Sequence, residues 1–180
     1  MRLNIHGEIN EQMLEEISNT IYKEYKPGEE VVIDFDSPGG YIEIAEDIVD
    51  ILTSLREAGS KIICKNSGDT MSSATPIWLM GDERIWDTRY RFLIHNPYIV
   101  GASGDGENLL ETGLELLEIE NELAEIYSYF SDESIDTILQ TMKENRPLSL
   151  RELEDLGFIT SKVKEIRKYA KNKNSYSKLK

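Results

Sequence analysis

Cysteine is almost missing from this 180-residue chain, and Cys64 stands alone. That excludes an internal disulfide framework and suits a reducing compartment. Cys64 reads as a small buried hydrophobe. Long apolar runs are also missing. No stretch reaches the roughly 18 apolar residues of a transmembrane helix, so no membrane partner is expected. The start, Met1-Arg2-Leu3-Asn4-Ile5-His6-Gly7-Glu8, carries charge without the apolar segment of a secretory signal. Positive charge is scarce as well, with a net charge of −14. Positions 161–180 hold eight Lys or Arg against one Glu, a balance of +7, so the first 160 residues carry −21. So acidic a body argues against nucleic acid as a partner. The basic end, 167–180, reads as a solvated tail. No Gly-x-x-x-x-Gly-Lys loop occurs, so the chain has no ATP site of its own, and no cofactor or metal is expected. Histidine is limited to His6 and His95.

What is present fits one globular domain with a sizeable core: 39% hydrophobic residues and nine tyrosines. Arg2–His6 alternates as a short strand. Asn10 caps a helix with Met13, Leu14, Ile17, Ile21 and Tyr22 at helical spacing. Val31–Phe35 reads as a strand, which Asp36-Ser37-Pro38-Gly39-Gly40 breaks. A helix over Ile42–Leu55 follows, with Gly59 as its stop. Lys61–Cys64 is a third strand. Short strands are expected near Asp82–Trp86 and Arg91–His95, and a loop over Val100–Glu107. A long helix spans Leu109–Phe130 and a shorter one Ser134–Lys143. Ser149-Leu150-Arg151-Glu152 is a capping box opening a last helix. Strands alternating with helices imply a βαβ architecture.

The chemistry centres on Gly68-Asp69-Thr70-Met71-Ser72-Ser73-Ala74. A serine between a strand and the apolar segment Ala74–Gly81 sits at a rigid tip, beside unpaired N–H groups of a helix start. A nucleophile needs those conditions. A plain N-cap, from Ser72 or Ser73, is the competing reading. Gly39 and Gly40 let another backbone come close. A histidine base must be His6 or His95, and His95, at a strand tip before Asn96-Pro97, is the better placed.

Taken in order, Ser-Pro-Gly-Gly, Gly-x-x-x-Ser and Ile-His-Asn-Pro resemble the ClpP family of serine peptidases. They also resemble its phage-borne relatives, the prohead (head maturation) proteases. The likeness runs from Arg2 to about Ile166. In the family the nucleophile lies four residues after one glycine and nine before another. Gly68 and Gly81 satisfy both spacings for Ser72 rather than Ser73. The resemblance implies an α/β ClpP/crotonase-like spiral of ββα units. It implies a single domain over 1–166 with a protruding handle at about 103–142. It implies a serine endopeptidase with Ser72 as nucleophile and His95 as base. The oxyanion donors would be the backbone N–H of Gly40, or alternatively Gly39, and that of Ser73. The family's third member, usually aspartate, falls by counting on Asn145, with Glu144 as the alternative. Asp69 stands where the family has small residues, either repelling acidic substrates or facing solvent.

The implied partners are a polypeptide substrate and further copies of the chain, in rings stacked through the handle. The chain starts at the family's first strand, without the segment that lines an axial pore, which weakens the case for an AAA+ unfoldase partner. A cytoplasmic setting follows, the host cytoplasm if the protein is phage-encoded and processes capsid or scaffold. The competing reading is a catalytically weak or inactive ring subunit that acts by assembly. A crotonase-type acyl-CoA enzyme would share the spiral fold without needing a Ser-His pair.

Overall fold

The structure is a computed structural model and describes residues 1–162. The expected tail, 167–180, lies outside the described residues. The elements are β1 (Arg2–Ile9), α1 (Glu11–Glu24), β2 (Val31–Gly40), α2 (Ile42–Glu57), β3 (Ile62–Met71) and α3 (Ala74–Leu79). Then come β4 (Glu83–Trp86), β5 (Phe92–Leu93), α4 (Gly106–Ser131), α5 (Ile135–Lys143), α6 (Leu150–Asp155) and β6 (Ser161–Lys162). Local chemistry places several ends. Asn10 accepts from Met13 N at the start of α1, and the Ser149–Glu152 capping box opens α6.

All strand pairs are parallel, in the order β1-β2-β3-β4-β6, with β5 beside β3. Parallel neighbours need crossovers, which α1 and α2 supply. β3 meets two neighbours along its length. Ile63–Lys65 pairs with Glu83–Ile85 of β4, whereas Thr70 and Met71 pair with Phe92 and Leu93 of β5. The far half of β3 thus exchanges β4 for β5 on one side while Thr70 keeps Ser37 of β2 on the other, within the same six-stranded sheet. Ser72 follows directly on this change of neighbour, one residue past the end of β3.

Four strand expectations need correction, the first being β1, which runs past His6 to Ile9. β2 does not break at Asp36 but runs on to Gly40. Its register against β3 shifts between Phe35 and Ser37, after which Ser37 pairs with Thr70. A bulge absorbs the irregularity, and Pro38 lies beyond that last pair, within the shift of register between β1 and β2. Likewise β3 continues through Gly68 to Met71. β5 is shorter than Arg91–His95, because among the described residues only Phe92 and Leu93 have register partners.

The core forms around α3, whose six residues are all buried. Trp78 packs edge-on against Phe35, Trp86 and Phe92, and its Nε1–H donates to Phe158 O at 2.8 Å. A buried Trp thereby gains both area and a partner. Cys64 is buried and free, and burial pushes its thiol well up, so it behaves as the expected hydrophobe.

α4 has two halves. Its C-terminal part buries Leu123, Ala124 and Tyr127, and α5 folds back with Ile138 and Met142 inside. Its N-terminal part buries no residue before Leu123 and leaves Leu110, Leu114 and Leu117 64%, 58% and 55% exposed. Farther along the helix Leu123 is covered within the chain, whereas Ile126 stays 37% exposed. Among the described residues no helix is long and apolar enough to cross a membrane.

Candidate active site

Strand β3 ends in an abrupt elbow. Ser72 adopts φ 55°, the left-handed region that non-glycine residues rarely enter. Such strain, of order 1–3 kcal/mol, persists only where surroundings over-determine it. They do so here. Ser72 N–H donates to Leu93 O of β5 at 2.8 Å. Thr75 returns two bonds to Ser72 O, from its N–H at 2.9 Å and its hydroxyl at 2.7 Å. Tyr127 OH meets Thr75 Oγ1 at 2.6 Å, which links α4 to the elbow. Ser72 is half-buried, and its Oγ makes no hydrogen bond among the described residues.

Neither serine caps α3 through its side chain. Ser73 occupies the cap position in a right-handed helical conformation without a side-chain cap bond. Its Oγ instead accepts Gly40 N–H at 2.7 Å. Its own N–H has no acceptor among the described residues.

The two glycines of β2 do different things. Gly39, at φ 95°, faces the elbow: a Cβ there would lie 2.5 Å from Ser72 Cβ and 3.0 Å from Ser73 N. Gly40 faces β1, where a Cβ would lie 2.2 Å from Ile9 O. Gly39 N–H donates to Ser37 Oγ at 3.1 Å, and the Ser37 hydroxyl donates to Gly7 O at 2.6 Å.

His95 follows β5, two residues beyond the carbonyl that holds Ser72 N–H. It is half-buried, with its ring 5.7 Å from that of Tyr98. Burial lowers its pKa, against a smaller opposing effect of a backbone hydrogen bond at Asn96. The neutral imidazole, the form a base requires, is therefore favoured. No hydrogen bond joins His95 to Ser72, Asn145 or Glu144 among the described residues.

Asn145 is exposed and left-handed, at φ 47°, just past the C-terminal end of α5. Asparagine is a usual residue for that position. Glu144 is exposed and pairs with Arg146 at 2.8 Å. The loop carrying both is tied to β5 by Leu148 N–H donating to Phe92 O at 2.8 Å.

Asp69 neither stands ready to repel a substrate nor simply faces solvent. It accepts from Arg91 N, Nε and Nη2 at 2.7, 2.9 and 2.6 Å. Burial opposes its charge, but these bonds outweigh it and hold the carboxyl below its ordinary pKa. The pair clamps the start of β5 to β3. Sequence reading missed this clamp and the Tyr127–Thr75 link, because both join distant positions. Among the described residues no cluster of His, Cys, Asp and Glu has the makings of a metal site.

Comparison with known proteins agrees with the fold. Residues 1–166 match the sequence profile of the Clp protease family. The ATP-dependent Clp protease proteolytic subunit of Pleurastrum terricola is 26% identical over 159 residues, covering 86% of this chain and 79% of that one. The proteolytic subunit 3 of Rhizobium etli is 22% identical, covering 87% and 80%. An asparagine-to-aspartate variant of ClpP1 from Listeria monocytogenes superimposes with a TM-score of 0.74. That match is at 20% identity and covers 89% of this chain and 90% of that one, so it establishes the likeness of fold. With the profile spanning the strands, the serine elbow and α4 together, this chain belongs to the Clp protease family.

Proposed function

We propose that this protein is a serine endopeptidase that cleaves polypeptides at Ser72. One observation carries the reading: Ser72 sits in a strained left-handed elbow, and its N–H is bound to the strand that leads to His95. Ser72 Oγ attacks the scissile carbonyl carbon while His95 takes its proton. The tetrahedral oxyanion collapses, and His95 passes the proton to the leaving amine. Water then attacks the acyl-serine ester, again through His95, and releases the acid.

Ser73 N–H is the donor best placed for the oxyanion, since it has no other acceptor among the described residues. Of the two glycines, Gly39 lies against Ser72, and each N–H is engaged, that of Gly39 by Ser37 Oγ and that of Gly40 by Ser73 Oγ. Asn145 is the proposed third member, orienting His95 through its amide oxygen, and Glu144 is the alternative. The tether from Leu148 to Phe92 keeps their loop beside the histidine strand, and the Arg146 pairing disfavours Glu144. The separate resting positions of these groups suit a site that tightens only with substrate or assembly.

The N-terminal half of α4 supports assembly with further copies of this chain, because Leu110, Leu114 and Leu117 form an exposed apolar stripe. Processing of capsid or scaffold protein by a phage-encoded enzyme, in a host cytoplasm, is the narrower form of the proposal.

The test is labelling with a fluorophosphonate probe, read by peptide mapping, beside cleavage of a model peptide. Ser72 is expected to label, and Ser72→Ala to abolish both signals. A folded, assembled chain that resists the probe between about pH 6 and 9, around the ordinary histidine pKa, sinks the proposal in favour of a non-catalytic ring subunit. Peptide cleavage that survives Ser72→Ala points to chemistry without a serine nucleophile.

A further inference from the structure

We infer that the Ser73 hydroxyl is a positioning residue: it ties the end of β2 to the serine elbow and keeps the Gly39–Gly40 backbone against Ser72. The inference rests on the reading of Ser72 as nucleophile.

Ladder pairing between β2 and β3 stops at Ser37 and Thr70. Beyond that point Gly39 and Gly40 run past Met71–Ser73 without a ladder. The bond from Gly40 N–H to Ser73 Oγ, at 2.7 Å, joins this strand end to the elbow. On its other side Gly40 is fixed to β1, where its register partner is Ile9 and the next N–H, of Tyr41, donates to Ile9 O at 2.9 Å. Ser73 therefore supplies the second anchor, the one facing the nucleophile.

Burial and alternative use both sharpen the point. Ser73 is only 5% exposed, so water does not easily replace the bond. A serine at a helix start ordinarily turns its oxygen to the helix N–H groups. Here that service is given up, and the oxygen faces β2 instead. Gly39 meanwhile approaches the elbow so closely that even a methyl group would overlap Ser72 Cβ. Oxyanion donors must lie within about 2.7–3.1 Å of the developing charge, so a small drift of this strand end is felt at the site.

The test uses the full chain with Ser73→Ala, a fluorophosphonate probe, and hydrogen exchange at the Gly40 amide followed by NMR. The labelling step, kinact, is expected to fall roughly 10- to 100-fold, the scale of a donor misplaced by about an ångström. KI is expected to stay within about twofold, because the tie touches no part of the bound ground state that uniform binding would use. Gly40 exchange is expected to accelerate. A kinact that is unchanged or raised, with Ser72 still labelled, overturns the inference and leaves the peptidase reading standing. Unchanged Gly40 exchange overturns the tie directly. A folded parent chain that never labels refutes the peptidase reading and any catalytic role for the tie with it.

Discussion

Replacing Thr75 with valine should cost more stability than replacing Thr75 and Tyr127 together. Thr75 Oγ1 donates to Ser72 O at 2.7 Å and meets Tyr127 OH at 2.6 Å, and both residues are buried. Because the Thr75 proton goes to Ser72, the Tyr127 hydroxyl donates to Thr75. Burial, only partly offset by the Thr75 bond, pushes the phenol pKa up, so the hydroxyl keeps its proton at every working pH. Tyr127→Phe removes one bond and leaves Thr75 satisfied as a donor, at about 1 kcal/mol. Thr75→Val keeps the shape, loses the bond to Ser72 and strands a buried phenol. The lost bond and the unpaired group add to about 2–4 kcal/mol. The double variant loses the Ser72 bond but strands nothing, so about 1–2 kcal/mol is expected. For a chain of this size each kcal/mol moves Tm by roughly 2–4 °C. Urea melts of the four proteins close the cycle. They must share one protomer concentration, because assembly shifts apparent stability. The labelling rate of Ser72 should fall in Thr75→Val, since the carbonyl that fixes the elbow loses one of its two donors. If Thr75→Val and the double variant melt together, the hydroxyl of Tyr127 does not depend on Thr75 and the reasoning fails.

Other consequences are simpler to read. The acid limb of the labelling rate should lie below pH 6.5, the ordinary histidine value, because burial lowers the His95 pKa and the base stays neutral until pH falls through it; a midpoint above 6.5 contradicts this. Asp69→Asn should loosen β5 and slow labelling severalfold, with KI little changed. The Asp69 pKa is depressed in the fold, so its contribution to stability is present at neutral pH and drains away only as pH falls through the carboxylate range; equal acid melts for parent and variant would deny the clamp. Asn145→Asp should raise the labelling rate if that side chain reaches His95 in the working state, by up to the ~10⁴ that separates the two residues in a serine triad. No gain would remove Asn145 from the site. Leu114→Glu with Leu117→Glu should shift sedimentation toward smaller species without unfolding, whereas unchanged sedimentation would show that the exposed stripe is not where copies meet.

What could be read from sequence was what is local. The Asn10 cap, the Ser149–Glu152 box and the apolar spacing of α1 and α2 each act within a turn or two, so residue types alone identify them. The serine elbow was legible because its demands are also local: a small residue, a strand before it and a helix after it. The strands past their bulges were not. Nothing near Asp36 says that Ser37 will find Thr70 again, since that pairing lies in a different strand. Sequence saw Ser-Pro-Gly-Gly as the end of a strand, whereas tertiary pairing makes it the strand's most useful part. The same holds for Asp69, an oddity beside the serine until Arg91 comes to meet it.

Asn145 shows where counting along the chain and reading the backbone answer different questions. Counted back four residues from Ser149, it falls where the family resemblance implies the third member of a triad. Its backbone offers a second account of the same residue: α5 ends there, and the left-handed conformation at φ 47° admits asparagine more readily than most residues. The two accounts are compatible, because the conformation constrains only the main chain and leaves the amide free. They separate under substitution. Glycine satisfies the backbone and removes the amide, so Asn145→Gly should preserve the melting temperature in any case. It should slow labelling only if the side chain serves His95. Alanine would confuse the two, since it is strained in that region and removes the amide at once.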